Sequence, residues 1–197
     1  VRMSRTHSED IEKRMKPIAT TRSTAGMPTG LLAVWWVVAS EIVIFGGLLA
    51  SYVMHRLSHD AWAGHAAATN TWIGATNTFV LLTSSLFAVL AHHAAEAGDG
   101  KKAARFLYFT IGGALMFVCI KAFEWTTEIP HGMTITFYYT AAGIHAAHVI
   151  AGAIIMAIVA KSAAQNKELQ RVELIGIYWH FVDIVWIFLF PLLYIAK

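Results

Sequence analysis

The chain has 197 residues, of which 57% are hydrophobic and only 14% charged, with a mean hydropathy of +0.55. Soluble domains carry roughly 25% charge, so this composition excludes an ordinary water-soluble globule. The formal charge is +3, but the basic residues are divided among several polar connections; that excludes a nucleic-acid-sized basic face and points to membrane topology instead.

Residues 1–28 are polar, mixed in charge and closed by Gly26 and Pro28. They read as a mobile or surface-lying inside tail. A cleaved signal peptide is not expected, because the first apolar run is longer than an h-region and has no clear small-residue cleavage site. Five apolar stretches follow: Leu31–Met54, Trp72–Ala91, Phe106–Thr126, Thr134–Ala160 and Leu174–Ala196. At about 1.5 Å per residue, a helix of about 20 residues crosses a hydrocarbon core of about 30 Å. The expected fold class is therefore all-α: a polytopic membrane protein with a five-transmembrane-helix bundle over residues 29–197, its short connections keeping it in one unit. Twelve Lys and Arg fall on the side of the N-terminal tail and of the second and fourth connections, against two, Arg56 and Lys197, on the other side. The asymmetry predicts the N-terminus inside and the C-terminus outside.

The first span contains SEIVIFGGLLASY, with Glu41 about ten residues in and no basic residue nearby on the same helix. A carboxyl at that depth serves as a hydrogen-bond donor across the bundle, takes part in proton movement, or reacts with hydrophobic carboxyl reagents. Gly46, Gly47, Ala50 and Ser51 offer a small-residue surface for a close helix neighbour. The second span holds Asn77, Thr83, Ser84 and Ser85 and no charge, as interhelical hydrogen bonding requires. In the third span Lys121 and Glu124 are three apart and can pair on one face, near enough to the outer end for Lys121 to snorkel to the interface. Cys119, the single cysteine, cannot form an intrachain disulfide.

The fourth span contains GIHAAHVIAG, in which His145 and His148 share a face. Two histidines three apart invite a metal or haem reading, but no cysteine cluster, HExxH or Glu-x-x-His motif accompanies them, and no metal site is assigned. His55, His59, His65, His92 and His93 lie at helix ends or in connections. The fifth span, YWHFVDIVWIFLF, keeps His180 and Asp183 three apart, with Glu173 seven residues before His180 and a neighbouring stripe of Trp179, Asp183 and Trp186. The His–Asp pair either stitches this helix to a neighbour or serves a proton relay or ligand site. No GxSxG, Walker-type loop or Gly-rich turn after a strand occurs, so a soluble-type catalytic site is excluded.

Taken in order, these segments resemble subunit III of the haem–copper respiratory oxidases of the cytochrome c oxidase type. YWHFVDIVWIFLF with Glu173 resembles the family's last helix, ASEIVIFGGLLASY its glutamate-bearing helix and TNTFVLLTSS its Asn/Ser-rich helix. KAFEW is similar to its Gln-Ala-x-Glu-aromatic end, and TFYYTAAGIHAAHVIAG to its Gly-x-His-x-x-His segment. The resemblance covers roughly residues 31 to 196 and implies the five-helix bacterial form, which lacks two N-terminal helices of the longer version. By that resemblance Glu41 matches the family's carbodiimide-reactive membrane glutamate. Glu124, His145, His148, Glu173, His180 and Asp183, together with Trp186, form a lipid-cleft or helix-packing polar set. The resemblance further implies a non-catalytic accessory subunit in a bacterial inner membrane that packs on the catalytic subunit I and other subunits of a proton-pumping terminal oxidase. Haem and copper belong to the catalytic partner, none is bound by this chain, phospholipid fills a cleft, and no nucleic acid is involved. Three positions depart from the family pattern: Lys121 stands where glutamine is common, Ala146–Ala147 replace Gly-Leu, and Pro191 interrupts the last helix. The alternatives are a related five-helix protein associated with nitric oxide reductase, whose first helix is expected to carry a different acidic motif, and a self-sufficient haem-binding electron carrier or a transporter.

Overall fold

The structure, a computed structural model, describes residues 29–58, 70–128 and 136–195. The expected inside tail 1–28, the connections that contain His59 and His65, and the expected span limits at Thr134 and Ala196 lie outside the described residues. What is described is helical: α1 (Thr29–Ser58), α2 (Thr71–Glu96), α3 (Gly100–Glu128), α4 (Thr136–Ala164) and α5 (Gln170–Phe190), the last followed by a π turn, Pro191–Ile195. All five are long and apolar enough to cross a membrane. In hydrocarbon no water is present to satisfy backbone N–H and C=O groups, so a helix, which bonds them internally, is the available conformation for each segment.

Helices α1, α2 and α3 overrun the apolar stretches that define them at both ends, α3 by six residues at its start. Caps and turns set those limits. Asn70 opens α2 by accepting the Trp72 N–H at 3.1 Å, and Asp99 opens α3 by accepting the Lys102 N–H at 2.9 Å. Between them Gly98 takes a φ of +78°, the left-handed conformation that closes a helix. At Gly100 an added Cβ would lie 2.1 Å from the Ala163 carbonyl oxygen, and its N–H donates to Asn166 Oδ1 at 2.9 Å. This glycine lets the start of α3 press against the end of α4.

Helices α2, α3, α4 and α5 pack as a closed ring, each touching the next, and α1 leans on the outside against α5 and, less, α4. Lipid is as apolar as leucine, so van der Waals fit and interhelical hydrogen bonds hold such a ring together. Small residues supply the fit: Ala91, Ala94, Ala95, Ala103 and Ala104 are all buried where α2 turns into α3. A Cβ on Gly113 would meet Ser84 Cβ at 2.6 Å, so the two helices approach too closely there for a side chain. Only 11% of the α1 span is buried, against 50% of the last span, and its buried contacts Val38, Phe45 and Tyr52 recur every seven residues. That narrow stripe leaves Gly46 and Gly47 exposed with no atom near an added Cβ. The expected close helix neighbour on this small-residue face is therefore absent among the described residues, because α1 turns its Phe45 stripe inward instead.

The glycine contacts give a test of this packing. Gly113→Ala should destabilise the bundle by about 1–3 kcal/mol through overpacking, whereas Gly112→Ala, which meets nothing within 4 Å, should stay within about 0.5 kcal/mol of the parent. Thermal unfolding in mild detergent distinguishes the two.

Candidate functional site

Between the first half of α1 and the facing parts of α4 and α5 lies a cavity of about 610 Å³. Gly30, Ala33, Val34 and Val37 line it from α1, Ala151, Ile155 and Val159 from α4, and Leu174, Ile175 and Tyr178 from α5. Its walls are aliphatic, but it is polar at both ends: Arg171 stands at the end where α5 begins, and Glu41 and His148 stand deep inside. Arg171 is itself ion-paired with Glu168 at 2.8 Å, so the slot is an apolar groove with a charge pair at one end and a carboxyl and an imidazole at the other.

Glu41 finds its partner here. Its Oε2 lies 3.0 Å from Nε2 of His148, with both side chains largely covered. Nδ1 of His148 lies 2.8 Å from the Ile144 carbonyl, an acceptor, so that ring nitrogen carries a proton. The approach to Glu41 is oblique and lacks the alignment of a directed hydrogen bond. The two side chains thus meet at contact distance inside the bundle, each the other's polar neighbour. Tyr178, also on the cavity wall, reaches the His148 carbonyl at 3.4 Å. Phe45 packs edge-on against His148, ring centroids 5.2 Å apart.

His145 goes elsewhere. Three residues on a helix differ by about 60° around the axis, enough to place His148 in the cavity and His145 in the core. There it is fully buried, stacked on Trp186 at 5.1 Å and edge-on to Phe117 at 5.5 Å. Neither of its ring nitrogens has a hydrogen-bond partner among the described residues.

Lys121 and Glu124 correct the expectation of an interfacial pair. Both are buried, with relative exposures of 1% and 0%, so Lys121 does not snorkel. Its Nζ donates to Glu124 Oε2 at 2.8 Å and to the Tyr194 hydroxyl, while that hydroxyl donates to Glu124 Oε1 at 2.6 Å. The ammonium also stands 5.0 Å from the Trp186 ring and 4.9 Å from the Tyr194 ring, a cation–π seat. The extra positive charge is thus neutralised within the protein, and Glu124 lies away from the cavity. Sequence reasoning missed Tyr194, which is 70 residues from Glu124 and carries no local signal.

A polar seam joins α5 to α2. Trp179 donates to Ser84 Oγ at 3.3 Å, and Trp186 donates to Thr78 Oγ1 at 3.0 Å. Ser85 and His180 Nδ1 stand 2.6 Å apart. The expected His180–Asp183 pairing does not form, because His180 turns to Ser85. Ser85 neighbours Asp183 as well, yet neither carboxyl oxygen makes a hydrogen bond to a described residue, nor does the side chain of Asn77. Glu173 is exposed in the first turn of α5 and does not join the others. The expected polar set is therefore divided: His148 joins Glu41, Glu124 joins Lys121 and Tyr194, His180 joins Ser85, Trp186 links His145, Lys121 and Thr78, and Glu173 stands apart. Among the described residues, no three His, Cys, Asp or Glu side chains converge as a metal cage.

Comparison with known proteins follows the same line. The family model for cytochrome c oxidase subunit III matches residues 8–197. Cytochrome c oxidase subunit 3 of Corynebacterium diphtheriae is 32% identical, over 81% of this chain and 84% of its own. The protein of that name from Thermostichus vulcanus is 28% identical over 79% and 82%. A heme-copper oxidase subunit I+III of Aeropyrum pernix is 28% identical, over 83% of this chain and 22% of its own length.

Two outcomes are expected from this geometry. A hydrophobic carbodiimide should label Glu41, which the cavity exposes, and leave Glu124 and Asp183 unmodified; peptide mass spectrometry should find the label lost in Glu41→Gln. Lys121→Met, which strands a buried carboxylate, should cost about 3–5 kcal/mol in thermal unfolding, and Lys121→Met/Glu124→Leu should recover most of it.

Proposed function

The chain belongs to the cytochrome c oxidase subunit III family and is an accessory subunit of a haem–copper oxidase; on that premise we propose that it holds phospholipid against the catalytic subunit of a proton-pumping oxidase and keeps that subunit stable during turnover. Subunit III associates with the catalytic subunit I, and the relative in which the two are one polypeptide supports that association. The chain is a multi-pass membrane protein. The orientation we propose, from the distribution of basic residues, has the N-terminus inside a bacterial inner membrane.

The observation that carries the lipid reading is the cavity of about 610 Å³, aliphatic along its length, with Arg171 at its mouth and the Glu41–His148 pair at its depth. An acyl chain fills such a slot without polar loss. Glu41 and His148 face each other at the deep end, and the wall between that end and Arg171 is aliphatic, as a hydrocarbon tail requires.

Haem and copper are assigned to the catalytic partner. The histidines of this chain support that assignment by geometry: His148 turns Nε2 to Glu41, His180 turns Nδ1 to Ser85, and His145 is walled in by Phe45, Phe117 and Trp186. The accessory role is also favoured over that of a nitric oxide reductase-associated protein, since the named relatives are oxidase subunits.

The test fills the slot. Ala151→Trp, introduced into the assembled oxidase, should lower the phospholipid retained per complex in native mass spectrometry and shorten the time for which the enzyme sustains turnover, while subunit composition and haem content stay unchanged. Unaltered lipid content would remove the cavity as the lipid site.

A further inference from the structure

The last helix does not end at Phe190 by fraying. Pro191 has no N–H to continue the α pattern, and the chain winds into a π turn, Pro191–Ile195. The end of a helix leaves carbonyls without partners, and here two side chains from other helices take them. Tyr52 of α1 donates to the Leu192 carbonyl at 2.8 Å, and Thr71 of α2 donates to the Tyr194 carbonyl at 3.2 Å.

The turn itself is held from two sides. On α2, the absent side chain of Gly74 makes room for it, since an added Cβ would stand 2.8 Å from the Phe190 ring and 2.9 Å from the Tyr194 ring. On α3, the fully buried Tyr194 delivers its hydroxyl into the contacts with Lys121 and Glu124. Leu192 is therefore presented to α1 by a turn whose seat is on α2 and α3. Helix α1, in contrast, packs on a narrow stripe and is mostly exposed. Its polar ties to the rest include Glu41–His148 midway and Tyr52–Leu192 near its far end.

We propose that the C-terminal turn is a latch: the Lys121–Glu124–Tyr194 triad fixes the turn, and the turn fixes the far end of α1 through the Tyr52–Leu192 hydrogen bond, so that α1 is a hinged flank whose position depends on a buried ion pair on α3. Because α1 forms one wall of the cavity, the latch also sets how far that cavity can open. The departure at Lys121 gains a purpose on this account. With an ammonium present, both Glu124 oxygens accept hydrogen bonds, one from Lys121 and one from Tyr194, and the tyrosine is locked in a single rotamer. The turn cannot shift without breaking a charge-assisted contact.

The test measures distances in the full chain reconstituted in lipid nanodiscs, with Cys119→Ser as background. Spin labels at Leu57 on α1 and Phe79 on α2, both well exposed, report the position of α1 by pulsed electron–electron resonance. A second pair at Phe79 and Ile150 reports the ring of four helices. Tyr52→Phe and Lys121→Met should each broaden the Leu57–Phe79 distribution and shift it by at least the roughly 1–2 Å of an ordinary helix displacement. The double variant should move it no further than the larger single one, because both cut the same chain of contacts. The Phe79–Ile150 pair should stay as in the parent. Tyr194→Phe, which removes one hydroxyl, carries the same expectation and stands in if Lys121→Met fails to fold. A Leu57–Phe79 distribution that ignores Tyr52→Phe, or that responds to it and ignores both Lys121→Met and Tyr194→Phe, overturns the latch. Equal movement of both label pairs also overturns it, as general loosening. The latch is read from the difference between parent and variants in the same nanodiscs and the lipid reading from phospholipid retained by the assembled oxidase, so the two can fail separately.

Discussion

Hydrocarbon offers no hydrogen-bond partner, and each nitrogen or oxygen that this chain carries into the membrane has to be met by another part of the protein or left at a cost of several kcal/mol. The backbone meets the demand by folding into helices. The side chains meet it by crossing between helices, and those crossings decide the arrangement: tryptophan N–H groups of α5 on the hydroxyls of α2, a tyrosine of α1 on the terminal turn, a lysine and a tyrosine on one glutamate. Interhelical hydrogen bonds in membranes contribute only about 0.6 kcal/mol each on average. Their value here lies in register. Each fixes which turn of one helix faces which turn of the next, and close packing of Gly and Ala surfaces then follows.

The same demand explains the division of labour among the acidic groups. Glu124 is satisfied by Lys121 and Tyr194 and is closed to any visitor. Glu41 is satisfied by His148 but remains beside open space. Two largely covered carboxyls, one near the end of its span and one midway along its span, thus have different chemistry, the first a structural tie and the second the polar end of a cavity. Asp183 and Asn77 are buried without a hydrogen-bonding partner among the described residues, and they sit in the α2–α5 seam, where an internal water would complete the set.

Much of this was legible beforehand, for physical reasons. Five runs of apolar residues are long enough to cross a bilayer and little else, so helix number and class follow from composition and spacing. The glutamate of the first span, the histidines of the fourth and the His and Asp of the fifth stand out because polar groups are rare in such runs. Their partners were not legible. Spacing brings His180 within reach of Asp183, but the choice of Ser85 depends on how α5 is rotated against α2, which no local pattern encodes. The Lys121–Glu124 pair is legible from its spacing of three and forms, but its depth is not, since snorkelling is the ordinary answer for a lysine near a helix end. The further partner of that pair, Tyr194, comes from the turn that follows Phe190, where the α-helix ends. The outward face of Gly46 and Gly47 shows the converse: a small-residue surface is permission for a close neighbour, and in this chain α1 packs through Phe45 instead.

The central claim is that this bundle serves a catalytic subunit and does not itself carry the redox chemistry. The direct measurement is a reduced-minus-oxidised spectrum of the tagged protein purified in mild detergent, taken before and after the chain is separated from whatever accompanies it. The account predicts haem signals in the assembly together with a large catalytic subunit, and their loss from the isolated five-helix chain. Stoichiometric haem retained by the isolated chain would contradict it and would return His145, His148 and His180 to consideration as ligands.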